Sequence, residues 1–443
     1  MESTLSRGGV SQKRILLTYL PLAAMWIMMG VEQPALNAVI ARMSDATIQL
    51  AAFGVTFALA LVVESPIIQM LSAGTALTYD RRHYRRLLNL MHLFALGLTA
   101  LHIILAVPPI YDALMRNVAG VPERLIGPSR EAFFFMIPWA AAVGYRRLWQ
   151  GVLIRHGRAK VVPITMVVRL IATGLGLVLG YVFDLAQGAT VAAASIILGV
   201  VSGAVASYLF ARPVVKGKLP ETSDEELMSY GSFLRFYLPL AATSVMVLAS
   251  RPIITVGIAR APMAMESLAI WPVLNAFNFL LHSLALALQE AIIALLRTKE
   301  DLRQLRRFTR RLAAILAVVY FGVALSPLRD LWFLHVAGLS PELVAMVPVP
   351  LLIIAIFPSL GSFTALFRGI LVQQQRTPRI TTGMAYHVVA LVLMLIGGAA
   401  LLSMAGVITA AIAFTASLFV EVLYLAYYST EQRLDLPESS HAI

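Results

Sequence analysis

Four polar residues in one apolar run raise the first chemical question. Asn275, Asn278, His282 and Gln289 fall at i, i+3, i+7 and i+14 of a segment that is otherwise hydrophobic. On a helix they share one face. Amides and an imidazole so placed can bind an oxygen-rich ligand, and a helix facing lipid all round would not carry them. The stripe is expected to line a water-filled cavity; hydrogen bonding between helices is the alternative. Other apolar runs also hold polar or ionisable groups: Glu32, Gln33 and Asn37; Glu64, Ser65 and Gln69; Arg146, Arg147 and Gln150; Arg169; Ser250 and Arg251; Arg368; His387; Glu421. A charge at the centre of a span costs about 2.5–3.5 kcal/mol on insertion scales, so each ionisable one is a functional candidate by default.

Arginine keeps its charge in a membrane and forks onto carboxylate or phosphate oxygens. Arg251, helped by Ser250, Asn275, Asn278 and His282, therefore reads as an anion-binding patch. Gln33, Asn37, Arg146, Arg147 and Arg368 join it as substrate-binding candidates. Glu32 and Glu64 are candidates for ion coupling, since a carboxylate taken out of water favours a proton or a bound cation. The simpler alternative is that one of them neutralises Arg251. Snorkelling toward headgroups is a second reading of Arg146, Arg147 and Arg368. His387 and Arg169 read as contacts between helices, and Glu421 as paired or near an interface. There is no cysteine, no GxxxxGK[ST] loop, no HExxH, no GxSxG and no Cys/His metal spacing. Hence no catalytic residue, no metal and no cofactor beyond a coupling H⁺ or Na⁺ are expected, and the chain is not expected to be an enzyme.

The elements that position these groups follow from composition. Of 443 residues, 59% are hydrophobic and 13% charged. Soluble domains run at roughly 45–50% and about 25%. An ordinary soluble enzyme, a disordered regulator and a coiled coil are excluded, leaving an all-α polytopic membrane protein. A span needs about 20 apolar residues. Twelve segments qualify: 15–41, 47–78, 88–111, 131–154, 161–183, 188–211, 232–259, 264–296, 309–328, 341–371, 380–403 and 406–428. The first is too long for a signal peptide and lacks a cleavage site. The segment 47–78 is expected to be one long helix. Arginine and lysine gather in 79–87, 155–160, 297–311 and 372–379. The positive-inside rule makes these loops and both termini cytoplasmic, in a bacterial inner (plasma) membrane. The net charge of +12 is thus a topology signal. Membrane lipids are the expected partners, and nucleic acid is not, since no aromatic platform accompanies the basic runs.

The chain also contains itself twice. Tyr19-Leu20-Pro21-Leu22-Ala23-Ala24 recurs as Tyr237-Leu238-Pro239-Leu240-Ala241-Ala242, an offset of 218, with 11 identities over the 24 positions 19–42. Gly151 and Leu153 match Gly369 and Leu371, and Arg158 matches Arg376, at the same offset. The basic stretch 80–86 resembles 301–307 at 221, which predicts small insertions. Two six-helix lobes follow, 1–211 and 231–443, joined by a cytoplasmic linker 212–230 that carries Pro213, Pro220 and Asp224-Glu225-Glu226. An even number of spans per half inserts both halves with the same orientation. Such parallel repeats place a transport site between lobes near the midplane. Gly176 and Gly180, and Gly199 and Gly203, have the GxxxG spacing of close helix packing.

Twelve spans in two parallel halves, each opened by Tyr-Leu-Pro-Leu, resemble the multidrug and toxin extrusion and polysaccharide flippase (MOP) superfamily. So do Trp149-Gln150-Gly151-Val152-Leu153-Ile154 and Phe367-Arg368-Gly369-Ile370-Leu371. Glu32-Gln33-Pro34-Ala35-Leu36-Asn37, Ser250-Arg251-Pro252-Ile253 and Gly151-Val152-Leu153-Ile154-Arg155-His156 are similar to motifs of its progressive ankylosis branch, here in a chain that looks prokaryotic. The resemblance implies a MATE-like fold and a secondary active exporter of a small organic anion such as citrate, a nucleotide or pyrophosphate. It implies alternating access and gives Glu32, Gln33, Asn37, Ser250 and Arg251 as cavity residues. A monomer is expected. The alternatives are an H⁺- or Na⁺-coupled multidrug or cation antiporter using Glu32 and Glu64, or a flippase of lipid-linked saccharides.

Overall fold

A computed structural model describes residues 10–119, 121–337, 339–401, 404–430 and 436–437, and among these every regular element is helical. Among the described residues ten helices are long and apolar enough to cross a membrane; an eleventh span results if Lys299–Ala324 is joined to Leu328–Val336 across an 85° bend. The expected all-α polytopic class is the observed one. The fourth expected segment, 131–154, is not one helix. It breaks before Pro138 into Glu123–Phe135 and Trp139–Arg155, of 13 and 17 residues, each short for a span. Proline lacks the N–H that would continue the first helix and suits the start of the second. The segment 47–78 is one span, Ile48–Leu77, with a tight turn at Ser65–Ile67 around Pro66. The ninth segment starts earlier than its apolar run, because Thr298 and Asp301 form a capping box that begins the helix at Lys299.

One register relates the two halves throughout. Trp139–Arg155 maps on Phe357–Gln373, and Arg81–Ala106 on Lys299–Ala324, both at 218. Gly188 and Gly406 open matching helices. Positive φ recurs at Asp45 and Met263 (52° and 53°), and at Gly157 and Gln375 (73° and 56°). The insertions expected from the 221 offset are therefore absent. That offset aligned two arginine clusters by composition, whereas the structure pairs Asp80 with Thr298, the helix caps of the two repeats.

The chain forms two compact units: Ile27–Ser244, here the N-unit, and Met1–Trp26 with Val245–Ile443, the C-unit. Their divide lies inside the helices Gln12–Ile40 and Tyr230–Ala259, not in the linker 212–230. Phe53, Phe133, Trp139, Leu177 and Ile196 lie in the N-unit core. Trp271, Phe277, Tyr320, Phe357 and Leu391 lie in that of the C-unit. The linker begins as helix, since Gly188–Gly217 runs on through Pro213, and the rest is tied to the basic loop. Asp80 accepts from Ser223 N and Oγ, both at 2.8 Å, and Arg86 donates to the Met228 carbonyl at 2.6 Å. Burial opposes the Asp80 charge, but hydrogen bonds from His83 and Ser223 outweigh it and hold the carboxyl well below its ordinary range. In the C-unit Asp301 accepts from Val10 N at 2.6 Å.

Two outcomes follow for this end of the N-unit and its counterpart. A Cβ on Gly157 would meet nothing within 4 Å, so Gly157→Ala should cost only its left-handed backbone, about 1–2 kcal/mol. Gln375→Gly should raise the melting temperature for the same reason. Burial, with repulsion from Arg155 and Lys218, keeps the His156 imidazole below its ordinary pKa despite its hydrogen bond to the Thr78 carbonyl. An unfolded histidine titrates near 6.5. Stability from neutral His156 is thus complete above about pH 6.5 and falls as pH drops below it, where the unfolded chain binds the extra proton. Melting curves from pH 8 to 5 should show this loss in wild type and a shallower one in His156→Gln.

Candidate functional site

The N-unit site is built on the helix Trp139–Arg155, of which 13 of 17 residues are buried. It is buried because glycines bring its backbone against Met70–Leu77: a Cβ on Gly151 would lie 2.7 Å from the Leu71 carbonyl oxygen, and one on Gly74 3.0 Å from that of Leu148. Arg146 and Arg147 are therefore held inside, 1% and 3% exposed. The snorkelling reading is corrected for both: there is no path to the headgroups for a side chain so enclosed. Arg146 Nη1 lies 3.2 Å from Met166 Sδ, a weak acceptor. Its Nε has no hydrogen-bond partner among the described residues. Arg147 reaches Met29 Sδ at 3.8 Å, and Gln150 donates to Thr165 Oγ1 at 3.0 Å.

The acids of this unit have their own partners. Arg169 donates from Nε to Glu32 Oε1 at 3.1 Å and from Nη2 to Oε2. Thr173, one turn on, donates to the same Oε1 at 3.1 Å. The fork is buried because Gly199 lies beneath it, where a Cβ would fall 1.9 Å from Thr173 Oγ1 and 2.9 Å from the Arg169 carbonyl. Glu64 accepts from Trp139 Nε1. Arg146, Arg147 and Arg169 all exert Coulomb attraction on Glu64, so the five charges act as one cluster. Among the described residues of this cluster, three buried guanidiniums stand near two buried carboxylates. Within the N-unit, Glu32 is bound by Arg169 and Glu64 by Trp139.

The C-unit places different chemistry at the same register. Arg368 donates from Nε to Glu421 Oε1 at 2.9 Å, so it is bound to a buried acid and does not reach for headgroups. His387 Nδ1 lies 3.2 Å from Glu421 Oε2, and Ser417 Oγ 3.3 Å from His387 Nε2. Arg368 stands at the register position of Gln150, His387 at that of Arg169 and Glu421 at that of Gly203. His282 replaces Glu64, and its ring meets Phe357 edge-on at 5.0 Å, as Glu64 meets Trp139. Gly361 makes room, since a Cβ there would be 2.4 Å from His282 Cε1. Asn278 is 2% exposed, and neither its Oδ1 nor His282 Nδ1 has a hydrogen-bond partner among the described residues.

The expected site residues thus fall into groups. Glu32, Glu64, Arg146 and Arg147 converge in the N-unit; Arg368, His282 and Asn278 lie in the C-unit, where Arg368 and Glu421 both act electrostatically on His282. Arg251 is exposed, and Ser250 is turned to its own helix, donating to the Met246 carbonyl at 3.0 Å. Asn275 is half-buried and Asn37 exposed. The side chain of Gln33 lies outside the described residues. Sequence reasoning missed Thr173 and Trp139 and undervalued Arg169. The four-residue spacing of Arg169 and Thr173, on a helix with GxxxG neighbours, was the available signal.

No family model matches the sequence. Solved structures do match its fold. A Vibrio cholerae MATE transporter, VcmN, in mutant form superposes with a TM-score of 0.74 at 17% identity, covering 95% of this chain and 98% of its own. An outward-facing multidrug resistance MATE family transporter of the MOP superfamily gives 0.70 at 15%, covering 97% and 100%. A MOP superfamily transporter from Pyrococcus furiosus, described by the reverse polarity of its binding pocket, gives 0.69 at 15%, covering 96% and 98%. The chain has the MATE transporter fold.

The ion pair can be tested on its own. Glu32→Gln and Arg169→Met should each lower stability by about 3–5 kcal/mol, since each leaves a buried charge uncompensated. The double variant should lose clearly less than the sum. Thermal melting of the four purified proteins in one detergent checks this, and additive losses would mean the pair is not coupled.

Proposed function

We propose that this protein is a secondary transporter working by alternating access, and that it exports a small organic anion. The observation that carries the anion is the buried Arg146 of the N-unit cluster, whose Nε has no acceptor among the described residues. A buried cation in that state costs several kcal/mol unless a counter-charge completes it. A carboxylate or phosphate fits, and guanidinium is the side chain that forks onto either. The MATE fold supports transport. The Pyrococcus furiosus neighbour, with its pocket of reverse polarity, supports the idea that this fold accommodates more than one pocket charge. The motifs similar to the progressive ankylosis branch favour citrate, a nucleotide or pyrophosphate.

Ion coupling falls to Glu64 rather than Glu32 in this reading. Glu32 is locked by Arg169 and Thr173, whereas the hydrogen bond of Glu64 comes from a neutral indole. Proton uptake on Glu64 would remove a negative charge from the cluster and favour anion binding. The second reading, an H⁺- or Na⁺-coupled multidrug or cation antiporter, is favoured by the multidrug resistance neighbour and would use the same acid. The setting proposed is a bacterial inner membrane, with the protein as a monomer and both termini cytoplasmic.

Proteoliposome uptake of labelled citrate, ATP and pyrophosphate tests the proposal. Wild type should transport at least one of them, Arg146→Met should reduce that transport by tenfold or more, and Arg251→Ala should reduce it if the exposed guanidinium also meets the anion. Dye efflux abolished by Glu64→Gln, with no anion uptake in wild type, would give the second reading instead.

A further inference from the structure

The transport reading leaves one neighbour of Arg146 without a duty. Met166 is fully buried on the helix Val162–Val182, and its Sδ accepts from Arg146 Nη1 at 3.2 Å. Among the described residues this sulfur is the one hydrogen-bond acceptor of the guanidinium. A thioether accepts only weakly, while a buried charged donor is costly to leave unsatisfied. The same helix face, at i, i+3 and i+7 from Met166, carries Arg169 and Thr173, which both donate to Glu32. Arg146 and Arg169 border the same glycine, since a Cβ on Gly203 would lie 3.4 Å from Arg146 Cδ and 3.2 Å from Arg169 Cβ. One of these arginines has a carboxylate fork, and the other has sulfur.

The internal repeat shows how an arginine at this place is satisfied. Met384 stands at the register position of Met166. It is buried and also meets an arginine, with Arg368 Nη2 3.6 Å from its Sδ. The methionine is thus kept in both halves while its arginine comes from different turns. Arg146 lies one turn before Gln150, the register position of Arg368. In the C-unit Glu421 binds the guanidinium, accepting from Nε at 2.9 Å, and the thioether is a bystander. The N-unit has Gly203 at the position of Glu421. The carboxylate that completes the arginine of one repeat is therefore absent from that place in the other, and the thioether is left to hold the guanidinium. Packing alone accounts for a buried methionine in each half. It does not account for sulfur at hydrogen-bond distance from the arginine whose counterpart has an acid.

We propose that Met166 is a specificity-determining residue of the anion site: a displaceable acceptor that holds Arg146 while the site is empty and yields it to a carboxylate or phosphate of the transported solute. The inference rests on the anion reading above and names the side chain that sets its affinity. A flexible, polarisable thioether turns aside at little cost, and an ionised oxygen is by far the better partner for a guanidinium. A stronger acceptor at 166 would satisfy Arg146 permanently. A side chain of the same size with no acceptor would leave Arg146 with a greater demand for an anion.

Proteoliposome uptake of labelled citrate, ATP and pyrophosphate by the full chain, with KM and maximal rate separated, tests this. Met166→Gln offers Arg146 an amide oxygen and should raise KM about tenfold or more, the worth of one hydrogen bond to a charged group, with the maximal rate changed less than about threefold. Met166→Leu keeps the volume and removes the acceptor, and should lower KM about two- to fivefold. Met384→Gln, beside an arginine already bound by Glu421, should shift KM less than about twofold. Melting curves read the empty state without transport: Met166→Gln should melt no lower than wild type, and Met166→Leu below it. KM moving the same way in both Met166 variants, or staying within about twofold of wild type in both, would overturn the proposal and leave the anion reading standing. Met166→Gln melting below Met166→Leu would overturn it too, since the amide would then have found no donor. Uptake of none of the three anions by wild type would remove the anion reading itself, and this inference with it.

Discussion

The ion pair of Glu32 and Arg169 is the constraint around which the N-unit is organised. Both groups are buried, where an isolated charge is prohibitive and a pair holds only with good geometry and further hydrogen bonds. Both guanidinium contacts are made, and Thr173 adds a third. To place that fork, the helix Val162–Val182 must lie almost in contact with Gly188–Gly217. The glycines at 176, 180, 199 and 203 permit this, because a Cβ at each would fall within 3.2 Å of the neighbouring helix. Close packing here is therefore a requirement of the electrostatics as well as of the apolar surface. With Arg169 committed to Glu32, Glu64 lies in the field of Arg146 and Arg147.

The repeat shows what is architecture and what is chemistry. Helix ends and positive-φ positions recur at one offset, so the backbone of one half is the template of the other. The charges do not recur. Arg169 becomes His387, Gln150 becomes Arg368 and Gly203 becomes Glu421, yet each unit still ends with an arginine bound to a buried acid. The acid comes from the first helix in the N-unit and from the last in the C-unit. The demand for neutralisation is a property of the lipid-immersed fold, while the residues that meet it are free to move. Conservation of the backbone with relocation of the pair is what two halves with separate duties would show.

Much of this was legible in the sequence, and what was not has a common cause. Hydropathy located the spans, because a bilayer demands long apolar runs, and the repeat gave the register through Tyr19-Leu20-Pro21-Leu22. The expected break points were less visible. Pro138 divides the fourth segment, but fourteen other prolines lie within expected spans, and proline alone does not say which helix will stop. The polar stripe at Asn275, Asn278 and His282 was correctly placed on one helix, and Asn278 Oδ1 and His282 Nδ1 have no hydrogen-bond partner among the described residues. Partner choice was illegible. Glu32 and Arg169 are 137 residues apart, and which arginine it takes depends on helix packing that no local pattern encodes. The same holds for Arg146 and Arg147: a sequence shows an arginine near a helix end, whereas only packing shows that Gly151 against Gly74 closes the way to the headgroups.

These two facts, committed acids and enclosed arginines, bear on how the cluster can respond to an ion. Glu32 is held by both contacts of the Arg169 guanidinium and by Thr173, so it is committed to a charged partner. Glu64 is different. Protonation would leave its indole partner uncharged and unharmed, and would release Arg146 and Arg147 from attraction. A mobile anion would then supply the counter-charge that Glu64 had given to Arg146. In the transport reading, proton uptake on Glu64 and anion binding would thus favour one another through one electrostatic balance. The ion pair that shapes the fold is what keeps that balance simple.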